Sequence, residues 1–243
     1  MNVQRVTCDE VRREYDDVVT FYFGKEEIEY TAGMMAHVVA PSGGGVRHLS
    51  FASAPGEDRL MFSMDLASRT PFKRAMAALG VGDTIDLFKI KGKFLLKPPA
   101  SLGFPQASRE EGVVFLGGGI GITPIRSLIH SIEGHGHGEG EGVPWSLVHV
   151  ARGGNHLFEA ELTQAFPDAR QMRTDHEGCG DALAAITADQ PAALYYVCGS
   201  ARFIEGMAER LVDLGIPRDR VRTENFKVQK PQVGWEGEEA KRG

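Results

Sequence analysis

The chain has 243 residues, 42% of them hydrophobic, and a net charge of −6. That length suits two domains, and an acidic balance without a long basic run argues against nucleic-acid binding. No stretch reaches the about 18 consecutive apolar residues of a membrane span, and residues 1–10 lack the apolar core of a signal peptide. Cys8, Cys179 and Cys198 are odd in number and far apart. They read as reduced thiols of a cytoplasmic protein, without the close spacing that holds an iron–sulfur cluster.

Residues 1–98 read as β. Short apolar or alternating runs recur at 18–23, 35–40, 48–52, 60–66, 84–88 and 94–96, separated by turn residues such as Gly33, Pro41 to Gly45, Pro55-Gly56 and Gly82-Asp83. That spacing predicts an antiparallel barrel or sandwich. A single helix is predicted over 71–79, with Thr70 as N-cap, Pro71 at its first position and Phe72, Ala75, Met76 and Leu79 on its apolar face. Residues 99–111 are polar and rich in Pro, Ser and Gly, and mark a domain boundary.

From Gly112 the period changes. Strands at 113–116, 146–150, 170–173, 194–197 and 221–223 alternate with helices at 124–132, 156–166 (cap Asn155), 181–186 and 201–214 (cap Ser200). Strands alternating with helices predict a parallel sheet covered on both faces. Ligands of such sheets sit at the carboxyl ends of the strands, which places 117–123, Arg152 and 198–200 on one rim. The segment 134–142, Gly-His-Gly-His-Gly-Glu-Gly-Glu-Gly, carries two histidines and two glutamates. Its glycines give no rigid ligand geometry, so it reads as a solvated loop and no metal site is assigned. Residues 227–243 form a polar tail with one aromatic, Trp235.

The central feature of the second half is Gly117-Gly118-Gly119-Ile120-Gly121-Ile122-Thr123-Pro124, a strand, a glycine turn and a helix start. Glycine lets backbone approach a phosphate, and the helix start offers unpaired N–H groups. The loop matches neither GxGxxG, because Ile122 occupies the third glycine position, nor the P-loop pattern. A turn built only for tight packing has the same composition. Four further stretches carry polar chemistry. In Arg47-His48-Leu49-Ser50-Phe51-Ala52-Ser53-Ala54-Pro55, strand alternation puts Arg47, Leu49 and Phe51 on one face and His48 and Ser50 on the other. Ala67-Ser68-Arg69-Thr70 precedes the helix start. Tyr196-Val197-Cys198-Gly199-Ser200 repeats the strand–glycine–helix pattern, and Thr223-Glu224-Asn225-Phe226 closes the sheet domain. Each alone also fits an ordinary strand end or cap.

In this order and spacing, the motifs resemble those of the plant-type ferredoxin–NADP⁺ reductase superfamily over roughly residues 5–226. Arg47-His48-Leu49-Ser50 matches the family's Arg-x-Tyr-Ser, Ala67-Ser68-Arg69-Thr70 its Gly-x-x-Ser, and Glu224-Asn225-Phe226 its closing Glu-x-aromatic. The glycine loop and Val197-Cys198-Gly199-Ser200 complete the set. The resemblance implies a six-stranded antiparallel β-barrel binding FAD (1–98), a linker (99–111), an α/β parallel-sheet domain binding NAD(P) (112–226) and a tail (227–243).

It also implies roles. Arg47, with His48, Leu49, Ser50, Phe51 and Ser53, would border the flavin, Arg47 taking the pyrophosphate and Ser50 lying near the hydride-accepting nitrogen. Met64, Leu66 and Thr70 would extend that site. Gly118, Gly119, Gly121, Thr123, Pro124 and Arg152 would hold the pyridine nucleotide, and Cys198, Gly199 and Ser200 would border the nicotinamide. Ser50, Cys198 and Glu224 are the implied catalytic residues, and Phe226 the aromatic that stacks on the flavin and yields to nicotinamide. Leu49 stands where the family carries an aromatic, Ala67 where it carries glycine, and Gly33-Met34 where it carries Gly-Gln.

The implied activity is FAD-dependent NAD(P)H oxidation with onward electron transfer to a separate carrier such as ferredoxin or flavodoxin. A reductase component of a multi-component oxygenase, or a non-catalytic electron-relay subunit, are the alternatives. Asp175 after the third sheet strand would repel a 2′-phosphate, although Arg152 and Arg173 could reach one; the balance favours NADH. Lys89, Lys91, Lys93 and Lys97, the first three at alternate positions, form a candidate docking face for an acidic carrier, although the same pattern more often marks a solvated strand face.

Overall fold

The computed structural model describes residues 3–25, 27–97, 101, 103, 105–135 and 142–225. Phe226, Trp235 and most of the 134–142 segment lie outside the described residues.

The first half is a six-stranded antiparallel barrel. Its strands are β1 (Gln4–Tyr15), β2 (Val18–Gly24), β3 (Met35–Val39), β4 (Val46–Ser50), β5 (Arg59–Asp65) and β6 (Thr84–Lys91), in the order β4-β3-β6-β1-β2-β5. β1 bends. Its first residues pair with β6 and its remainder with β2, with register shifts after Cys8 and Arg13. Inward residues of the barrel strands, including Val6, Phe21, Val38, Phe62 and Leu87, fill one core. Helix α1 (Pro71–Ala77) caps it with Phe72 and Met76, and Thr70 accepts the Lys73 N–H as the N-cap predicted.

The second half is a five-stranded parallel sheet in the order β11-β10-β7-β8-β9, built from β7 (Val113–Gly118), β8 (Trp145–Val150), β9 (Arg170–Thr174), β10 (Leu194–Gly199) and β11 (Val221–Asn225). Four helices cover it: α2 (Ile122–His130), α3 (Glu159–Ala165), α4 (Cys179–Asp189) and α5 (Ala201–Asp213). Strand alternation feeds two cores. Val113 and Phe115 of β7 face α2 and α3, while Val114 and Leu116 face α4 and α5.

The first of these cores continues into the barrel. Val18, Tyr22 and Met61, on the outside of β2 and β5, pack in it with Ile122, Ile125 and Leu128 of α2. The two halves thus share an apolar contact, crossed by hydrogen bonds from Tyr196 to the Leu95 carbonyl at 2.9 Å and from Ser127 to the Ser53 carbonyl at 2.6 Å.

Some local expectations differ from the structure. The charged strand β1 carries too few apolar residues to register as one of the predicted runs. The 94–96 run is buried but forms no strand; Phe94 lies edge-on to Tyr196, 5.2 Å between centroids, at the interface. α3 is capped by Phe158 in the left-handed conformation (φ 64°), not by Asn155. α2 starts at Ile122, so Pro124 is its third residue, still within the turn whose N–H groups lack helical partners. Lys89 has φ 46° at a register shift, and β6 ends at Lys91, so Lys89, Lys91 and Lys93 do not alternate along one strand face.

Candidate functional site

The glycine turn lies where β7, the middle strand, passes through a 3-10 turn (Gly119–Gly121) into α2. Its glycines are required for different reasons. A Cβ on Gly118 would lie 2.7 Å from the Phe203 ring, and one on Gly121 would lie 2.2 Å from the Cys198 carbonyl oxygen. Gly119 has φ +53° with open space where its Cβ would be. Gly121 therefore serves close packing against β10, whereas Gly118 and Gly119 line a cleft. Thr123 turns inward, donating to the Ile120 carbonyl at 3.1 Å, and Pro124 is buried.

The cleft holds about 430 Å³ between the two halves. Gly118, Gly119, Ile120, Arg152, Asn155, His176, Ser200 and Phe203 form its sheet side, and Tyr15, Asp16, Asp17, Asp65 and Ala67 its barrel side. Gly118, Gly119, Arg152 and Ser200 were anticipated from sequence. Arg152 has no ion-pair partner among the described residues. Ser200 caps α5, accepting the Phe203 N–H at 3.2 Å. Phe203 also lines the cleft. It reads as an ordinary apolar helix position, and only its place over Gly118 and Gly199 shows what the two glycines accommodate. Asp16 and Asp17 signal a tight turn, not that the turn overhangs the cleft.

Beside the cleft, register places Cys198 between Gly117 of β7 and Glu224 of β11. Burial, reinforced by Glu224, pushes the Cys198 thiol well up, so it is neutral at physiological pH. Burial also raises the Glu224 carboxyl from 4.5 to about 7, so it exchanges a proton near neutrality. Because the folded value is raised, the favourable neutral form is fully present below about pH 4.5 and is lost as pH passes 7. Glu224→Gln is expected to stabilise the fold at pH 8.5 by about 1–2 kcal/mol, discounted for partial exposure, and to change little at pH 5. Urea midpoints at both pH values check this; an equal effect at both would refute the burial of a titrating carboxyl.

On the barrel, β4 carries the second group. Arg47 is half-buried, donates to its neighbour Val46 O at 2.7 Å and lies 5.9 Å from the Phe72 ring. No carboxylate pairs with it among the described residues. Leu49 packs against the barrel core, and Phe51 lies fully inside it, stacked on Tyr30 at 4.0 Å. His48 points to the other face and meets His37, Nε2 to Nε2 at 2.6 Å. Ser50 is buried at the strand end. The Ser53 hydroxyl is committed to Tyr30 at 2.9 Å and to the Met61 N–H at 3.0 Å, while Met64 and Leu66 belong to the barrel core. The cleft is thus lined by part of the sheet-side set, while Arg47 to Ser53, Met64, Leu66 and Thr70 lie outside its lining.

No family model matches the chain. It is 28% identical to tetrachlorobenzoquinone reductase of Sphingobium chlorophenolicum over 208 residues, covering 82% of this chain and 58% of that protein. It is 26% identical to the ferredoxin reductase component of 3-ketosteroid-9-alpha-monooxygenase of Rhodococcus rhodochrous over 214 residues, covering 83% and 57%. The chain spans somewhat over half the length of these curated relatives. A ferredoxin NADP⁺ reductase from Neisseria gonorrhoeae, solved with bound FAD and NADP, superposes with a TM-score of 0.73 at 19% identity, over 93% of this chain and 99% of that one. The chain shares the two-domain fold of that ferredoxin NADP⁺ reductase. Its barrel precedes its parallel sheet, as the order of motifs predicts. No helix among the described residues is long and apolar enough to cross a membrane.

Proposed function

We propose that the chain is an FAD-dependent NAD(P)H oxidoreductase, with 1–98 holding the flavin, 112–226 the pyridine nucleotide and 99–111 joining them. One observation carries this reading: the cleft between barrel and sheet, into which the β7 turn presents Gly118 and Gly119 without side chains. Both halves fit the groups. The sheet side offers bare backbone and Arg152, which has no ion-pair partner among the described residues. The barrel offers Arg47, a half-buried guanidinium with no carboxylate partner among the described residues, suited to a diphosphate.

Bound flavin and nicotinamide supply the hydride and electron chemistry. The chain's residues do the rest. Arg47 and Arg152 neutralise phosphate charge. Ser50 offers a buried hydroxyl at the end of β4. Cys198, neutral and buried, walls the rim against water, and Glu224 holds or releases a proton near pH 7.

NADH is the better-fitting nucleotide. Arg173 already donates to Thr163 at 2.7 Å and Gln171 at 2.8 Å and pairs with Glu159 at 3.3 Å, leaving Arg152 as the guanidinium that lines the cleft. The N–H groups of Gly178 and Glu177 hold the Asp175 carboxylate below its usual range. Electrons then pass to a separate carrier of the ferredoxin or flavodoxin kind. Similarity to a monooxygenase ferredoxin reductase component supports an oxygenase system as the setting. The buried, unpaired Cys8, Cys179 and Cys198 fit the cytoplasm.

Purified protein supplied with FAD should be yellow and should bleach anaerobically with NADH. Stopped-flow reduction should favour NADH over NADPH by roughly tenfold, the worth of one missing charge-assisted contact. A colourless protein that takes up no FAD would overturn the reading. Equal rates with both nucleotides would overturn only the NADH preference.

A further inference from the structure

His149 lies on β8, 1% exposed, opposite Gly117 of β7 and Arg173 of β9 in register. Its ring meets that of His156 edge-to-face, 5.0 Å between centroids. Its Nε2 lies 3.0 Å from the carbonyl oxygen of Gly119. A carbonyl only accepts, so Nε2 carries the hydrogen and the imidazole donates. Burial, with smaller contributions from His156 and Arg173, lowers its pKa from 6.5 to about 4, so the ring is neutral across the physiological range.

The partner of that bond is the one glycine of the turn with left-handed backbone and nothing beside its absent Cβ. The Gly119 carbonyl also receives the Ile122 N–H at the helix start, so both of its lone pairs are used. A peptide unit is planar and trans, which puts C=O and the following N–H on opposite edges. Drawing the Gly119 oxygen back onto β8 therefore turns the Ile120 N–H the other way. Were this unit to flip, a carbonyl dipole would replace a donor on a surface that Gly118, Gly119 and Ile120 share with the cleft. A glycine in this conformation offers little resistance to such a flip.

Resting on the nucleotide reading above, we propose that His149 is a positioning residue for the diphosphate of the nucleotide. Its Nε2–H pins the Gly119–Ile120 peptide in the orientation that offers an N–H, not a carbonyl, to an anion. The residue touches no ligand and acts through one backbone oxygen.

The test compares His149→Leu, of similar volume without a donor, with His149→Gln, whose amide nitrogen can replace Nε2. ADP-ribose is the probe, titrated calorimetrically into each FAD-supplied protein, alongside NADH-dependent flavin reduction by stopped flow. His149→Leu should weaken ADP-ribose binding roughly tenfold, the worth of a hydrogen bond serving a charged partner. It should raise the NADH concentration for half-maximal reduction by a similar factor and leave the limiting rate within about twofold. His149→Gln should restore binding to within about threefold of the parent, as one neutral donor replaces another. Parent-like binding by His149→Leu would overturn the proposal. So would equal weakening in both variants with parent-like thermal midpoints. If His149→Leu does not fold, His149→Gln alone decides, because weak binding by a folded chain that retains a donor is incompatible with the proposed role. Failure of the parent protein to bind ADP-ribose would instead sink the nucleotide reading itself.

Discussion

Replacing Arg126 with methionine is expected to cost about 3–5 kcal/mol of stability, because it leaves buried carboxylates without their counter-charge. Arg126 projects from α2 and is 3% exposed. Its guanidinium donates to the Ala52 carbonyl at 2.8 Å, to both oxygens of Glu57 at 2.8 and 2.9 Å, and to both oxygens of Glu161 at 2.5 and 3.2 Å. His130 adds a further contact to Glu161 at 2.9 Å. One side chain thus ties the barrel loop at 52–57, the helix behind the glycine turn and α3. Lysine cannot replace it, because a point charge cannot make two forked contacts. Glu161 is about a third exposed, so most of the expected loss comes from Glu57 and the severed Ala52 contact.

The pH dependence separates this account from a simple packing loss. Burial would raise both carboxyls, but hydrogen bonds outweigh it: those of Arg126 lower Glu57, and those of His130 and Arg126 bring Glu161 to about 2. Depressed carboxyls contribute stability above their unfolded pKa, near 4.5. That stability is lost as pH falls toward 2. The parent should lose stability below about pH 4.5. In Arg126→Met the same groups prefer protonation, so the gap between the two proteins should narrow from pH 7 to pH 4. Urea midpoints at these two pH values test it, and a constant gap would show that the ionic network is not the cause.

Gly121→Ala is expected to abolish efficient use of the nucleotide. The conformation is not the obstacle, since φ is −62°. The obstacle is backbone. The new Cβ would lie 2.2 Å from the Cys198 oxygen, 2.5 Å from its carbonyl carbon and 2.8 Å from Gly199 Cα. None of these atoms can rotate away, so the turn and the β10 end must separate by an ångström or so. Misplacement on that scale costs on the order of 100-fold in rate for a positioned reaction. Gly206→Ala, in α5 and outside the cleft lining, is the control. Its Cβ meets nothing and its φ is not left-handed. Stopped-flow reduction by NADH, with flavin content measured in parallel, should show a far larger loss at Gly121 than at Gly206. Similar losses would mean that the contact with β10 does not set the loop.

Both predictions concern features differently visible in sequence. Gly121 belongs to a motif written in adjacent residues, so it was found, although its partner was not. Arg126 reads as a solvated cation in an amphipathic helix. Its partners are 69 and 35 residues away, and nothing local announces them. His149 is hidden for the same reason: within a buried strand it reads as one polar interruption, and its bond to Gly119 spans 30 residues.

By itself the sequence determined the two-part architecture, the parallel sheet covered on both faces, the Thr70 and Ser200 caps, and the glycine turn. These follow from periodicity, capping and backbone freedom, which act over a few neighbouring residues. Only the tertiary structure decided that the turn at Asp16-Asp17 overhangs the cleft, that Phe203 covers two glycines, that Phe94 is a wedge and not a strand, and that Arg126 joins the halves. Those outcomes depend on which surfaces meet when two cores pack, and side-chain partners chosen by burial across long sequence separations leave no periodic trace in the chain.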